Sequence, residues 1–560
     1  MLIKKTKMKR LLNDFFTTDL LTTIGAIEVV KKDDTLNPEI SSLTFDSRDC
    51  THGSLYFALN GLHTDGHKYI NNAIQKGAAV IVHQQKLETY KDNVVYIQVG
   101  DSRFAMSPLS AAFYSYPSKK MVVFGVTGTE GKSTTVYLIF QLLRFLGKKC
   151  GFISTVQYSV DGSEQMNKEH QTTPEATIIQ RRLFQMLQNG VRYAVVESSS
   201  HGLSAKTNRL GDVIFDVGIM TNVTHEHLEF HKTWEQYRSD KANLFRALDN
   251  QFHAKHQSEL PVFGIVNADD KSADYFVQST KHKVYKVSCN ADNNDADFVI
   301  RNIKSTAYGN TYDVFYSKST DSNANCDTGI ENTLHIEDKL PGAFNAANVL
   351  YSLIAVSRIL NVPMEELGEF VQKLVPVRGR MTAIDEGQPF EVIVDYAHTP
   401  SSFETIFPPI KKRLAQGARI ISLFGSAGER DTAKRSQQGE IAAKYSDIII
   451  LCDEDPRGED SMAILEDIAA GIETHINFST HRSKSNGRTS IERGEKLFLI
   501  PDRESAIKKS FELANKNDIV LLLGKGHENS IIYNSGAIKY DEIECAKTLL
   551  RSLPDIKKNR

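Results

Sequence analysis

The stretch Gly125-Val-Thr-Gly-Thr-Glu-Gly-Lys-Ser-Thr-Thr135 constrains this chain more than any other, because its glycines separate two segments of opposite periodicity. Met121-Val-Val-Phe124 reads as a buried strand, and Val136-Tyr-Leu-Ile-Phe140 as the body of a helix. A strand, a glycine turn and a helix in that order aim a helix N-terminus, with its unpaired N–H groups, at a bound phosphate. Lys132 would reach the distal phosphates as a point charge, and Ser133 or Thr134 would offer a hydroxyl to the accompanying magnesium. Five residues, rather than four, separate Gly125 from Gly131, so Thr127, Gly128 and Thr129 form the bend and Glu130 follows it.

A loop of this kind belongs to a parallel α/β sheet, and the rest of the chain must be long enough to build one. At 560 residues it exceeds a single core and suggests three domains. Lys plus Arg (67) nearly cancel Asp plus Glu (69), which leaves no global basic field for nucleic acid. The 6 cysteines lie far apart, without metal-ligand or paired spacing, as expected of free thiols in a reducing compartment. After Lys4-Lys-Thr-Lys7 the apolar run is broken by Asn13, Asp14 and Asp19, which argues against a signal peptide. No stretch approaches the roughly 18 uncharged apolar residues of a membrane span. The expectation is a cytoplasmic protein without membrane contact, and a monomer.

Residues 1–116 show short strands and small helices around the polar loop Gly61-Leu-His-Thr-Asp-Gly66. Thr44-Phe-Asp-Ser-Arg48 precedes it and could hold a nucleotide-like ligand or satisfy the loop's own backbone. Residues 117–376 alternate strands and helical patterns, as a doubly wound parallel sheet requires. Val191-Arg-Tyr-Ala-Val-Val196 ends in Glu197-Ser-Ser-Ser-His-Gly202, and Val213 to Met220 ends in Thr221-Asn-Val-Thr-His-Glu-His227. Polar residues at the carboxyl ends of parallel strands line the ligand crevice, which makes Glu197 and His227 candidate magnesium ligands. The His225, His227 and His231 cluster lacks the order and the cysteines of a zinc site. Lys241 falls on a helix where nothing local distinguishes it from a solvated lysine. Residues 285–335 read as a β-excursion with polar hairpin tips. Residues 377–560 repeat the strand–helix alternation, with strands ending in Gly425-Ser-Ala-Gly-Glu-Arg-Asp431, Asp453-Glu-Asp-Pro-Arg-Gly458 and Gly524-Lys-Gly-His-Glu528. Phe478 to Lys496 reads as an inserted surface loop.

Six co-linear segments then carry a resemblance: Thr127 to Thr134, Gln171-Thr-Thr-Pro-Glu175, Glu197 to Gly202, Asn222 to Leu228, Asp395-Tyr-Ala-His-Thr-Pro400 and Gly524 to Glu528. Together they resemble the Mur ligases, and within them the type that adds the third peptide residue to the peptidoglycan precursor. The resemblance implies an α/β, three-domain architecture: an N-terminal UDP-substrate domain, a central P-loop parallel-sheet ATPase domain and a C-terminal Rossmann-like domain for the amino acid. It implies ATP and Mg2+ as cofactors, and UDP-N-acetylmuramoyl-L-Ala-D-Glu and a diamino acid as substrates. By the same resemblance Lys241 matches a carbamylated lysine that helps to bind a second magnesium beside Ser133, Glu197 and His227. Asn345 matches an adenine contact, and Arg380 and Asp395 match residues that reach the nucleotide. Phe45, Ser47, Leu62, His63 and Thr64 correspond to uridine and diphosphate contacts, and Gln171, Thr172, Thr173 and Ser199 to muramoyl-dipeptide contacts. Arg209, or Lys206 in its place, corresponds to the substrate arginine. Glu130 and Glu226 stand where the family commonly has Asn and Asp.

For the amino acid, the resemblance points to Arg430, Glu454-Asp-Pro-Arg457, Gly524 and Glu528. Arg430 and Arg457 suit the distal carboxylate of meso-diaminopimelate through a bidentate fork. Asp455, in place of a neutral amide, would repel that carboxylate and welcome the bare ammonium of lysine or ornithine, unless it pairs with one of the arginines. The expectation is meso-diaminopimelate, with lysine or ornithine next. The rival readings are a P-loop kinase or transport ATPase, a nucleotide-gated scaffold, and a folylpolyglutamate synthetase of the same superfamily.

Overall fold

The computed structural model describes residues 8–61, 64–167, 171–224, 228–250, 260–293, 295–306, 309–317, 331–473, 480–485 and 488–553. These form two compact units: one runs to Val287 and includes Ala355–Asn361, the other holds Ser288–Ile354 and the chain from Val362.

The first unit opens with a small sheet of β1 (Ala26–Val30), β2 (Ser42–Thr44), β3 (Ser54–Phe57), β4 (Ala78–His83) and β5 (Val95–Val99), ordered β1-β5-β4-β3-β2. Strands β2 to β5 are parallel and buried on both faces: Leu43, Leu55, Phe57, Val80, Val82 and Ile97 pack with α1 (Ser102–Phe113), and Tyr56, Ile81 and Tyr96 form a second core. Asp101 caps that helix by accepting from the N–H groups of Arg103 and Phe104 at 2.8 and 3.1 Å.

The main sheet of this unit contains β6 (Val122–Thr127), β7 (Cys150–Ile153), β8 (Tyr193–Glu197), β9 (Val217–Met220), β10 (Phe263–Asn267) and β11 (Lys283–Ser288). They lie in the order β7-β8-β6-β9-β10-β11, all parallel. Helices α2 (Lys132–Phe145), α3 (Ala176–Gln188) and α4 (Trp234–Asp249) are part of the same unit. Strand order reverses at β6, whose neighbours are β8 on one side and β9 on the other, so the loops after these three strands converge on one crevice. The strand expected from Val213 begins only at Val217; Val213 and Phe215 are buried in the core ahead of the ladder.

The second unit begins with an antiparallel meander, β12 (Phe298–Ser305), β13 (Asn310–Ser317) and β14 (Glu331–Asp338), where the β-excursion was expected. Helix α5 (Phe344–Leu360) leaves it and ends within the first unit. The remaining strands are β15 (Thr382–Ile384), β16 (Glu391–Asp395), β17 (Ile420–Phe424), β18 (Ile448–Leu451), β19 (Thr480–Ser485), β20 (Arg488–Arg493), β21 (Leu497–Leu499) and β22 (Ile519–Leu523). They form one sheet ordered β15-β16-β22-β17-β18-β21-β20-β19. Its parallel centre is flanked by two apolar cores. The segment expected to be a surface loop, Phe478 to Lys496, instead supplies the β19–β20 hairpin that extends this sheet. A ladder is made by backbone groups, so polar side chains do not preclude it. Among the described residues no helix is long and apolar enough to cross a membrane, and Cys50, Cys150, Cys289, Cys452 and Cys545 are free thiols.

Candidate active site

In the first unit, β6 ends at Thr127 and α2 starts at Lys132, with the glycine loop between them. Gly128 has φ +152°, and a Cβ there would lie 1.9 Å from Thr221 Oγ1, so no other residue fits. Gly131, at φ +81°, precedes α2, and no side chain caps the helix. Asn222 holds the loop: its Oδ1 accepts from Thr129 N at 3.0 Å and Glu130 N at 2.9 Å. Thr221 Oγ1 donates to Glu130 O at 2.5 Å, and Lys132 Nζ donates to Thr129 O at 2.8 Å. Thr134 lies in the first turn of α2 beside Ser133. Asn222 belongs to the motif Asn222 to Leu228, and the sequence alone assigns it no role. Its signal is the polar side chain at the end of β9, next to the strand that carries the loop.

Glu197 closes β8, is 1% exposed and accepts from four groups. Ser133 Oγ donates at 2.9 Å, Ser154 Oγ at 2.6 Å, Thr155 N at 2.8 Å and Thr155 Oγ1 at 3.0 Å. Hard oxygen donors, a hydroxyl and a carboxylate side by side at the start of a phosphate-loop helix, fit magnesium and not a soft metal. Lys241 is no solvated lysine: it is 2% exposed, its Nζ donates to Gly128 O at 2.5 Å, and it lies 4.5 Å from the centre of the Tyr237 ring. Tyr237 OH in turn meets Thr129 Oγ1 at 3.0 Å, so α4 is fastened to the phosphate loop twice. An ammonium repels a metal ion, whereas the carbamate that the family resemblance implies for Lys241 would attract one. His225, Glu226 and His227 lie outside the described residues. His231 is committed elsewhere, to Asp240 at 2.8 Å and Ser200 at 3.0 Å. No group of three or more His, Cys, Asp or Glu that could hold a metal occurs among the described residues.

Thr173 and Ser199 meet directly. Thr173 Oγ1 donates to Glu197 O at 2.9 Å and accepts from Ser199 N and Oγ at 3.0 and 2.9 Å. Arg209 joins them through Thr173 O at 2.9 Å and pairs with buried Glu175 at 2.9 Å, which also holds Arg103 at 3.1 Å. Lys206 is exposed and lies over the Phe230 ring, so Arg209 is the basic group of this cluster. Gln171 is exposed and Thr172 half-buried beside it. Near β3, Ser47 is buried, Phe45 packs on the small core, and Thr64 Oγ1 lies 3.3 Å from Tyr69 OH. Leu62 and His63 lie outside the described residues.

In the second unit, Asn345 is buried, donates to Pro341 O at 2.7 Å and accepts from Asn348 at 3.0 Å. Asp395 accepts from Met381 N and Ala397 N at 2.7 Å each. Burial raises its carboxyl above the ordinary range, and Arg380 opposes that rise. Arg380 lies over the Tyr396 ring at 4.8 Å. His527 is pushed down to about 3 by burial and by the charge of Arg380, and so is a neutral imidazole at pH 7.

The loops after β18 and β22 meet here. Asp455 pairs with Lys525 at 2.8 Å and accepts from Ile532 N at 2.9 Å. The expected alternative, a pairing with an arginine, is therefore corrected: the lysine of Gly524-Lys-Gly is nearer and fully buried. Lys525 also pairs with Glu528 at 2.5 Å. Burial raises the carboxyls of both Glu454 and Glu528. Arg457, at φ +55°, follows Pro456 and lines a cleft of about 660 Å3 with Pro456, Ser461 and Tyr533; its buried Nε has no partner. Arg430 is exposed on the loop after β17, where Gly428 packs against Pro456 O.

Three family profiles match in succession: "Mur ligase family, catalytic domain" over residues 39–114, "Mur ligase middle domain" over 126–356, and "Mur ligase, glutamate ligase domain" over 379–526. The chain belongs to the Mur ligase family. Its members are ATP-dependent amino-acid ligases, and the chain is an enzyme of that class. It is 50% identical to a UDP-N-acetylmuramyl-tripeptide synthetase of Treponema denticola over 96% of this chain and 98% of the relative. It is 33% identical to a UDP-N-acetylmuramoyl-L-alanyl-D-glutamate–2,6-diaminopimelate ligase of Geobacillus kaustophilus, over 92% and 96%. Among solved structures, a ligase with the same diaminopimelate title aligns at TM-score 0.59 and 25% identity, covering 92% of this chain and 95% of that one. A MurF ligase from Thermotoga maritima in complex with ADP aligns at TM-score 0.59 and 16% identity, over 94% and 100%. The three-domain α/β Mur ligase fold of the chain follows from these matches.

Proposed function

We propose that this ligase adds the third residue, meso-diaminopimelate, to UDP-N-acetylmuramoyl-L-Ala-D-Glu, in synthesis of the peptidoglycan precursor. The observation that carries the diaminopimelate reading is the Lys525–Asp455 pair. Asp455 argues against a substrate with a distal carboxylate, and a buried ammonium neutralises it at 2.8 Å. The unpartnered Nε of Arg457, at the edge of the cleft, remains to receive that carboxylate. Lysine or ornithine is the second reading, favoured by the buried, unpartnered Glu454 Oε2, which would accept a bare ammonium.

The reaction follows from charge. A carboxylate is a poor acyl donor until its oxygen becomes a leaving group, so transfer of the γ-phosphoryl group of ATP to the D-glutamate carboxylate activates it as an acyl phosphate. The amine of the incoming residue attacks, and phosphate leaves. No protein nucleophile is required. The chain supplies position and charge: Lys132 on the transferring group, the glycine-loop N–H groups on the phosphates, and Arg209 with Thr173 and Ser199 on the dipeptide. Ser133 and Glu197, with His227 and a carbamylated Lys241, would hold magnesium, which supplies further charge neutralisation. In this reading residues 1–116 bind the UDP end through Phe45, Ser47, Leu62, His63 and Thr64, residues 117–376 bind ATP, and residues 377–560 bind the amino acid. Asn345, Arg380 and Asp395 serve the nucleotide.

ATP hydrolysis that depends on both UDP-N-acetylmuramoyl-L-Ala-D-Glu and a diamino acid is the expected result. A kcat/KM for lysine or ornithine above that for meso-diaminopimelate would refute the choice of residue, and turnover without any amino acid would refute the ligase reading.

A further inference from the structure

The loops after β18 and β22 crowd three carboxylates, Glu454, Asp455 and Glu528; Lys525 pairs with the last two, while Lys434 acts on Glu454 more strongly than Lys525 does, and Arg503 acts on it as well. Lys525 is 0% exposed, lies 2.8 Å from Asp455 and 2.5 Å from Glu528, and belongs to the motif Gly524-Lys-Gly. Asp455 has one further donor, Ile532 N at 2.9 Å, on the same oxygen. A buried lysine that served packing alone would need one partner carboxylate; this one divides its charge between a residue of each loop. Glu454 gains no contact from it within ion-pair distance, and its Oε2 has no hydrogen-bond partner.

We infer that Lys525 is the specificity-determining residue of the amino-acid pocket: by cancelling Asp455 it admits a side chain that ends in both an ammonium and a carboxylate, where an uncancelled Asp455 would admit only the ammonium. The inference rests on the reading above that these loops face the incoming amino acid. Without Lys525, Asp455 and Glu528 both present charge to the pocket and offset whatever Arg457 contributes to binding a distal carboxylate. Lys525 touches neither reacting atom and acts through Asp455, so it sets preference and not the chemical step.

The experiment compares kcat/KM for meso-diaminopimelate and L-lysine in the full-length enzyme for wild type, Lys525→Met, Asp455→Asn and the double variant. Lys525→Met should lower the diaminopimelate-to-lysine ratio about ten-fold or more, and adding Asp455→Asn should raise it again about three-fold, Glu528 remaining uncancelled. Asp455→Asn alone leaves Lys525 to Glu528, with one carboxylate fewer in the pocket, and should raise the ratio. Should Lys525→Met fail to fold, the ratio in Asp455→Asn alone still decides the matter. A ratio in Asp455→Asn equal to that of wild type overturns the inference, as does a shift in Lys525→Met that the second change leaves uncorrected. A wild type that ligates none of meso-diaminopimelate, L-lysine and ornithine would instead overturn the functional reading, which keeps the two failures distinct.

Discussion

At the scale of single residues, the phosphate loop and its neighbours have separable duties. Among the described residues Lys132 donates to Thr129 O alone and joins no apolar cluster, so Lys132→Ala should leave the far-UV circular dichroism spectrum intact while turnover falls below about a hundredth of wild type. Ligation retained at a tenth of the rate would remove the loop from the chemistry. Lys241 differs, because it is buried against Gly128 and Tyr237. Lys241→Arg keeps a cation but cannot form a carbamate; we expect a crippled enzyme that bicarbonate does not rescue, and normal activity in that variant would exclude the carbamate. His527 gives a pH signature. The unfolded chain takes up its proton near the ordinary value of 6.5, while the folded chain refuses it until about 3, so this residue costs stability as pH falls through that window. Replacing it by Gln should spare on the order of 2–3 kcal/mol at pH 4, measured by urea unfolding of both proteins. The raised carboxyls of Glu454 and Glu528 act in the opposite sense, losing stability as pH rises, so only the difference between variant and wild type isolates the histidine.

At the scale of elements, the loops after β18 and β22 are fixed by a residue outside both. Arg503 opens α6 (Arg503–Leu513) and is fully buried; it donates to Asp453 O at 3.0 Å and Leu523 O at 2.7 Å, at the carboxyl ends of the two strands that flank β17. Glu542, in α7 (Glu542–Ser552), pairs with it through two bonds of 2.9 and 2.6 Å. Removing Arg503 strands the buried Glu542 charge, at a cost of about 3–5 kcal/mol. In Arg503→Met combined with Glu542→Gln, the stranded charge is absent and the loop spacing alone is disturbed. That double variant should raise KM for the amino acid about ten-fold and leave KM for ATP unchanged. Equal changes in both constants would assign Arg503 a general structural role.

At the scale of the whole molecule, the cores are separate. The first unit has clusters on both faces of the sheet β1 to β5 and another on the main sheet, and the second has clusters on the two faces of its sheet. Thermal unfolding should accordingly depart from two-state behaviour, with a calorimetric enthalpy above the van't Hoff value. Coincidence of the two enthalpies would mean that the units unfold as one.

Local chemistry was legible in the sequence wherever one segment carries it. The glycine loop, the strand ending in Glu197 and the β-excursion were all apparent, because periodicity and turn residues act over a few neighbours. The family likeness, spread over six segments, was legible as well. Misreadings arose where the deciding partner is distant in the chain. Phe478 to Lys496 looked like a loop because its polar side chains hide a backbone ladder with β21. Nothing near Lys241 announces burial; Gly128, 113 positions away, decides it. Asp455 reads as a free charge until Lys525, 70 positions later, is brought beside it. Sequence by itself determined which groups the chain possesses and the elements that carry them. Only the tertiary structure decided which charges cancel, because a charge pair depends on distance in space, and β18 and β22 are brought together by a sheet whose order is not the order of the chain.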